Sequence, residues 1–190
     1  MVIGGIGFWG FGKLKGFAGC MFVYKDVRTG LLKYADEHGG KLPKAETWQD
    51  DVREDYRQSM TPKDKLGPIE EPSPDGDWGC KLPDGTMTGM AFNSELSGKK
   101  VSDIADQVST IMIFETEHAG KNLHEKFKAR PFETSPIMIG STRRGWMQAP
   151  VSGKPKVVGV NGQETQMDPG GSSNDGINFK VDTSSGKDDK

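Results

Sequence analysis

An apolar stripe with helical spacing runs through residues 17–35, and it decides most of what this chain can fold into. Its members fall at steps of three and four, so they share one side of a helix, while charged residues occupy the other side. The stripe consists of Phe17, Cys20, Met21, Tyr24, Val27, Leu31, Tyr34 and Ala35. Gly39, Gly40 and Pro43 then supply a stop signal. The pattern predicts an amphipathic helix of about twenty residues that needs a surface to cover its apolar side.

Shorter patterns follow this helix. Trp48, Val52 and Tyr56 are spaced by four and predict a second, shorter helix over residues 45–60, with Thr47 as its N-cap. Beyond it come short apolar runs bounded by Gly, Pro or Asn, which are typical of strands. These runs are residues 86–93, 110–115, 137–140, 145–151 and 156–160, and an Asn-Gly turn signal follows at 161–162.

The order of the elements favours an α+β fold, a long N-terminal helix packed on a small antiparallel sheet, over alternating βαβ units. Residues 121–129 predict one further brief helix within it. The 190 residues divide into a glycine-rich apolar segment (1–15), a single folded domain (16–167) and a tail rich in Gly, Ser and Asp (168–190). Because the tail is poor in large apolar residues, we expect it to be mobile.

The opening residues satisfy parts of two nucleotide-binding patterns. Gly5, Gly7 and Gly10 spell G-x-G-x-x-G, and Gly7, Gly12 and Lys13 spell the front of a phosphate loop. A dinucleotide site requires the glycine turn to join a strand to a helix in a βαβ unit, and here a second helix follows the first. A phosphate loop needs Ser or Thr after its lysine, where this chain has Leu14. A nucleotide-binding enzyme is therefore the least favoured hypothesis.

Charge and histidine spacing argue against two other classes of function. The 25 basic and 27 acidic residues form no basic stripe of the kind that nucleic-acid binding requires. His118 and His124 lie six residues apart, on different faces of any helix, which favours solvated side chains over metal ligands. A G-x-S-x-G nucleophile motif is also lacking. The sequence therefore predicts no enzyme, no metal, no cofactor and no nucleic-acid partner.

Two further features concern the environment of the chain. Cys20 and Cys80 lack metal-ligand spacing, so the residues alone leave open a disulfide outside the cytosol or two buried thiols. The apolar run 1–12 would reach about 18 Å as a helix, against a bilayer core of roughly 30 Å. The run is too short to span a membrane, and it does not have the layout of an ordinary signal peptide.

Two longer stretches carry a more specific signal. CMFVYKDVRTGLLKYADEHGGKLPKAETWQDDVREDY, residues 20–56, resembles the segment after the membrane helix in prepilin-type proteins, the pilins and type II secretion pseudopilins. Its marks are a helix ending in Tyr-Ala, a glycine-rich turn, Leu-Pro and a helix containing Trp. GCKLPDGTMTGMAFNSELSGKKVSDIADQVSTIMIFETE, residues 79–117, resembles the part that follows in that family, with its buried strand closing in Phe-Glu. The resemblance covers about half of the chain.

The chain departs from that family at both ends of the domain. It opens with MVIGGIGFWGFG in place of a basic leader and a full apolar helix. STRRGWMQAPVSGKPKVVGVNG lacks the His-x9-Asp-Gly element that many members carry on the last hairpin. The resemblance nevertheless implies a pilin-like fold, a scaffold role without catalysis, and a disulfide between Cys20 and Cys80.

The expected function is therefore that of a non-enzymatic structural subunit in an extracellular filament or secretion-type assembly. The resemblance places it outside the cytoplasm, membrane-associated or at the cell surface, in contact with its own copies or other pilin-like subunits. The residues expected to meet sister subunits or lipid are Ile3, Ile6, Phe8, Trp9 and Phe11. The alternative is a soluble binding module that reuses this fold and buries residues 1–15 in its own core.

Overall fold

The computed structural model of the chain describes the following residues: 7–59, 78–80, 87–130, 138–139, 142–143, 146–158 and 164–166. Within these ranges the fold is α+β, as predicted, with helices first and strands after them. The helices are α1 (Gly7–Glu37), α2 (Trp48–Asp51) and α3 (Arg53–Ser59). The strands are β1 (Gly89–Asn93), β2 (Ile111–Thr116), β3 (His124–Glu125), β4 (Met138–Ile139), β5 (Thr142–Arg143), β6 (Trp146–Pro150), β7 (Lys156–Val158) and β8 (Glu164–Gln166).

Helix α1 begins at Gly7, earlier than the apolar stripe predicted, and ends at Glu37. Its C-terminal part has the predicted core face, and Tyr34 is half-buried at its edge. The buried members are Cys20, Met21, Tyr24, Val27, Leu31 and Ala35. Gly39 and Gly40, at φ 67° and 81°, adopt the left-handed conformation that ends the helix, and Gly40 N donates to the Ala35 carbonyl at 2.7 Å.

The second predicted helix is divided into α2 and α3, which separate at Val52. Trp48, Val52 and Tyr56 are nevertheless all buried, as their spacing by four predicted. Thr47 precedes α2 but does not cap its backbone, because its hydroxyl donates to Asp51 Oδ2 at 2.7 Å instead. The pattern therefore predicted the buried positions correctly and the continuity of the helix wrongly.

The sheet is mixed, which corrects the prediction of an antiparallel sheet. In the described part of the chain its strand order is β3-β1-β2-β6-β7-β8. β3 runs parallel to β1, with Phe92 opposite His124, and the other neighbours are antiparallel. β4 and β5 form a separate antiparallel pair. The exception arises from β3 alone, at a place where the sequence predicted no strand.

Residues 121–129, predicted as a brief helix, contain β3 and no helix. Leu123 and Phe127 are four residues apart, a spacing that places both on one side of a helix. Four is also a multiple of the strand period of two, so this pair lies on one side in either conformation. Tertiary contacts select the strand, since the amide of Phe92 donates to the Leu123 carbonyl at 2.9 Å.

The core has two layers, one on each face of the sheet. On one face α1, α2 and α3 pack against side chains of the sheet: Met90, Phe92, Met112, Ile113, Met147, Ala149 and Val157. Trp78 closes this layer, with its ring centroid 5.4 Å from that of Trp48 and 4.7 Å from that of Tyr56. On the opposite face Leu123 and Phe127 cover a smaller cluster of Ala91, Ile111 and Phe114.

Several predictions fall outside the described residues. They concern Ile3, Ile6, Met60, the Asn-Gly turn at 161–162 and the tail 168–190. For residues 7–19 the structure describes the backbone only, so the predicted boundary between residues 15 and 16 falls inside the continuous helix α1.

Candidate functional site

Helix α1 is the candidate assembly element, because the residues predicted to meet sister subunits or lipid lie at its start. Phe8, Trp9 and Phe11 are within α1, whereas Ile3 and Ile6 lie outside the described residues. The helix has 31 residues, which corresponds to about 46 Å at 1.5 Å per residue. Whether such a helix can contact another molecule depends on which part of it is packed against the rest of the domain.

The domain holds α1 first through α3. A Cβ added to Gly30 would lie 2.8 Å from the backbone N and Cα of Tyr56, so the two helices touch backbone to backbone. Next to this contact, the ammonium of Lys33 lies 3.1 Å from Asp55 Oδ1, on a carboxylate side chain that is 10% exposed. Lys33 Nζ also donates to the side-chain oxygen of Gln58. Close approach and a shielded ion pair thus fix the two helices together.

Arg28 ties α1 to the end of the sheet. Its Nε donates to the Pro150 carbonyl at 2.9 Å, and its Nη2 donates to the Val151 carbonyl at 3.0 Å. Burial lowers the pKa of this guanidinium from its usual value, because the charge has lost part of its water. The two carbonyls replace that water, which makes the arginine an anchor for the helix rather than a ligand for solvent anions.

Cys20 is the first residue of α1 whose burial the structure describes, and 13 helical residues, Gly7 to Gly19, precede it. Five of these 13 are glycine: Gly7, Gly10, Gly12, Gly16 and Gly19. Each glycine costs a helix roughly 1 kcal/mol relative to alanine, so this stretch is a poor helix on its own. Its helical conformation calls for a surface to pack against.

The described backbone bears on the phosphate-loop pattern. Gly7, Gly12 and Lys13 all lie within α1. Gly12 is past the first turn, where backbone N–H groups bond to carbonyls four residues back, whereas a phosphate loop presents them to its ligand. In the described residues the stretch from Gly7 to Lys13 is therefore a helix and not a loop, while Gly5 of the dinucleotide pattern lies outside them.

Cys20 and Cys80 are both buried in the core layer beneath the helices. The structure contains them as thiols, with no bond between the two sulfurs, in contrast to the disulfide that the resemblance implied. Composition left open two buried thiols or a disulfide, and the pairing of Cys20 with Cys80 stays a prediction. In this structure the described hold on α1 is its packing against the sheet.

A buried carboxylate joins three parts of the core. Glu115, 1% exposed on β2, accepts a hydrogen bond at Oε1 from the Thr88 hydroxyl (2.8 Å) and at Oε2 from the Met147 amide (3.0 Å). The amide of Thr88 in turn donates to the Cys80 carbonyl at 2.9 Å. Both oxygens are engaged and shielded from solvent, so the group acts as a structural clamp. The sequence signal for it was a Glu that closes an apolar strand.

A polar latch connects α2 to the loop before β3. Asn122, at φ 52°, accepts a bond at Oδ1 from the Gln49 amide (2.8 Å) and donates from Nδ2 to Asp50 Oδ2 (2.9 Å). Lys121 Nζ lies 2.7 Å from the same Asp50 carboxylate. Hydrogen bonds from Lys121 and Asn122 lower the pKa of Asp50. Sequence reasoning missed this latch because its two halves lie far apart along the chain.

The two histidines singled out from the sequence do not form a site. His118 and His124 are exposed, and His124 Nδ1 lies 2.8 Å from the Asn122 carbonyl. Within the described ranges, no three His, Cys, Asp or Glu side chains are arranged to hold a metal ion. In the same part of the chain, none of the helices is both long and apolar enough to cross a bilayer.

Comparisons with known proteins give no match to this chain, neither to a protein family nor to a curated protein nor to a solved structure.

Proposed function

We infer that this protein is a non-enzymatic, pilin-like structural subunit. It associates through residues 1–15, which include the start of α1, with its own copies or with other pilin-like subunits in an extracytoplasmic, membrane-associated assembly. The observation that carries the proposal is the way α1 is held: its C-terminal half is fixed to α3 and to the end of the sheet at Gly30, Lys33 and Arg28, and 13 helical residues, five of them glycine, precede Cys20.

The way in which α1 is held supports a scaffold role. Its C-terminal half is fixed by backbone contact at Gly30, by the Lys33–Asp55 ion pair and by the bonds of Arg28 to two carbonyls. Force applied to the start of the helix would therefore be transmitted to the sheet. The chain fits a subunit that is assembled through one helix and presents a rigid domain.

The composition of the first helical turns supports contact with another surface. Glycines let a second helix or an acyl chain approach closely, and Phe8, Trp9 and Phe11 offer contact area. The intrinsic cost of five glycines in a helix is offset when that helix packs against a partner. This is the second reason to assign association to this segment.

A triple variant with Phe8, Trp9 and Phe11 changed to Ser tests the proposal. We expect the full-length protein to associate in sedimentation velocity and to bind vesicles of phosphatidylglycerol, and the variant to do neither while unfolding at the same urea concentration. Val108→Ser is the matched control, because Val108 is an apolar side chain elsewhere, 65% exposed, and its loss should change nothing.

Two results would contradict the proposal. A wild-type protein that stays monomeric at all concentrations and ignores vesicles would remove the assembly role. A triple variant that unfolds at a clearly lower urea concentration would show that these side chains belong to the protein's own core, as the soluble binding module requires.

A further inference from the structure

Four lysines lie in two paired loops at the C-terminal end of α1, the end remote from the proposed assembly segment. They are Lys41 and Lys44, just after the helix, and Lys99 and Lys100, in the loop after β1, and all four are exposed. We call this group the lysine patch. Its two halves are more than 50 residues apart in sequence, so it is a product of the fold.

Backbone hydrogen bonds hold the two halves together. The amide of Leu42 donates to the Lys99 carbonyl at 2.9 Å, and the amide of Val101 donates to the Gly40 carbonyl at 2.8 Å. These two bonds flank an antiparallel bridge in which Lys41 stands opposite Lys100. The lysine patch is therefore fixed by the main chain and not by the side chains themselves.

The bonding pattern places Lys41 and Lys100 unusually close. Because the bonds are made by the residues on either side, the two lysines form a non-hydrogen-bonded pair, the type in which opposite side chains are closest. Their Cβ atoms are then about 4.5–5.5 Å apart, and like charges placed directly opposite each other destabilise a sheet. An arrangement that works against folding points to a use for the charge.

Three other lysines of the described region have carboxylate partners, whereas those of the patch, like Lys25 and Lys128, have none there. Lys33, Lys121 and Lys126 pair with Asp55, Asp50 and Glu95, respectively. Among the residues that the structure describes, no carboxylate lies within ion-pair distance of the lysine patch, although Glu46 and Asp103 are close in sequence. Lys41 and Lys100 thus face each other without a carboxylate partner among the described residues, with Lys44 and Lys99 in the same two loops, on a chain whose net charge is −2.

The surroundings of the lysine patch indicate which kind of anion it fits. Basic patches that bind membranes combine lysine with exposed apolar side chains that enter the lipid. Here the apolar residues between the lysines, Leu42 and Ala45, point into the core, each 2% exposed. A surface of ammonium groups without an insertable apolar side chain suits a flexible chain of carboxylates better than a bilayer.

We propose that the lysine patch is a docking surface for an acidic, carboxylate-rich segment of a partner protein. This goes beyond the proposed assembly role, since it uses the opposite end of α1 and requires none of residues 1–15. The contact is electrostatic and solvent-exposed, so it is weakened by salt and acts over about 8 Å at physiological ionic strength.

The probe is a fluorescein-labelled peptide of eight glutamates, followed by fluorescence anisotropy with the full-length protein. The wild type should bind it, and added salt should weaken the binding. The double variant Lys41→Gln, Lys100→Gln should bind about fivefold more weakly, since two exposed ion pairs are lost. The matched control Lys121→Gln, Lys126→Gln removes the same charge from lysines already paired and should change binding less than about twofold.

Stability supplies an independent readout. Because Lys41 and Lys100 repel each other, the double variant should unfold at the same temperature as the wild type or higher. A lower unfolding temperature would show that the lysine patch already has carboxylate partners in its own chain and would overturn the proposal.

Three binding results would also overturn it: no binding of the peptide by the wild type, an equal loss in the control variant, or tighter lysine-dependent binding to phosphatidylglycerol vesicles or a thymidine oligonucleotide. The assembly role is tested separately, by sedimentation velocity of the variant at Phe8, Trp9 and Phe11. Failure of the lysine patch and failure of the assembly role can therefore be distinguished.

Discussion

At the scale of single residues, backbone contact restricts several positions of this fold to glycine. Gly79 lies between the core residues Trp78 and Cys80, and a Cβ added to it would lie 1.8 Å from the Thr88 carbonyl oxygen. That oxygen belongs to the main chain next to β1 and cannot turn away as a side chain would. The sequence could not reveal this restriction, because a Gly in a loop is compatible with many roles.

We expect Gly79→Ala to lower the free energy of unfolding by about 3 kcal/mol or more, measured by urea denaturation. The control is Gly98→Ala, at a position with φ 65° and no atom within 4 Å of the added Cβ, where left-handed strain alone costs roughly 1–2 kcal/mol. Equal losses in the two variants would contradict the close contact at Gly79.

At the scale of elements, the sequence predicted long elements correctly and short ones less well. The stripe of α1 repeats over several turns, so chance agreement is small, and its positions from Cys20 to Ala35 are buried as predicted, except for the half-buried Tyr34. The pair Leu123 and Phe127 offered one repeat, which a helix and a strand satisfy equally. The conformation of a short element is determined by its tertiary contacts, such as the hydrogen bond from the Phe92 amide to the Leu123 carbonyl. The neighbouring sequence does not reveal these contacts.

The polar latch between α2 and the loop before β3 predicts a dependence on pH. Its hydrogen bonds lower the folded-state pKa of Asp50 below the usual value of 3.8, so they stabilise the fold above that pH. The contribution is lost as the pH falls through the lower, folded-state pKa. Since the Asp50 side chain is 40% exposed, we expect this contribution to the free energy of unfolding to stay below about 1 kcal/mol.

Urea denaturation of Asp50→Asn and the wild type at several pH values checks this sign. The variant should be less stable at neutral pH, and the difference should shrink as the pH falls below about 4. Asp103→Asn is the control, because that carboxylate accepts a bond from Ser102 and has no basic partner in the described part of the chain. A difference that grows on acidification would contradict the latch.

At the scale of the whole molecule, the features with functional interest are made by residues distant in sequence. The lysine patch joins two loops, and the Glu115 clamp joins β2, β6 and Thr88. The sequence showed a balanced charge and no run of basic residues. It could not show that the fold brings basic residues from two distant loops to the same surface. The order of helices and strands, in contrast, was enough to predict the α+β class.

We propose that α1 serves two purposes: its residues from Cys20 to Ala35 pack in the core, and its first residues associate with other subunits. The most direct measurement compares the full chain with a truncated chain that begins at Gly16, using thermal unfolding and sedimentation velocity on the same samples. The account predicts that the truncated chain unfolds as cooperatively as the full one and no longer associates. A truncated chain without a cooperative transition, or one that associates as before, would contradict it.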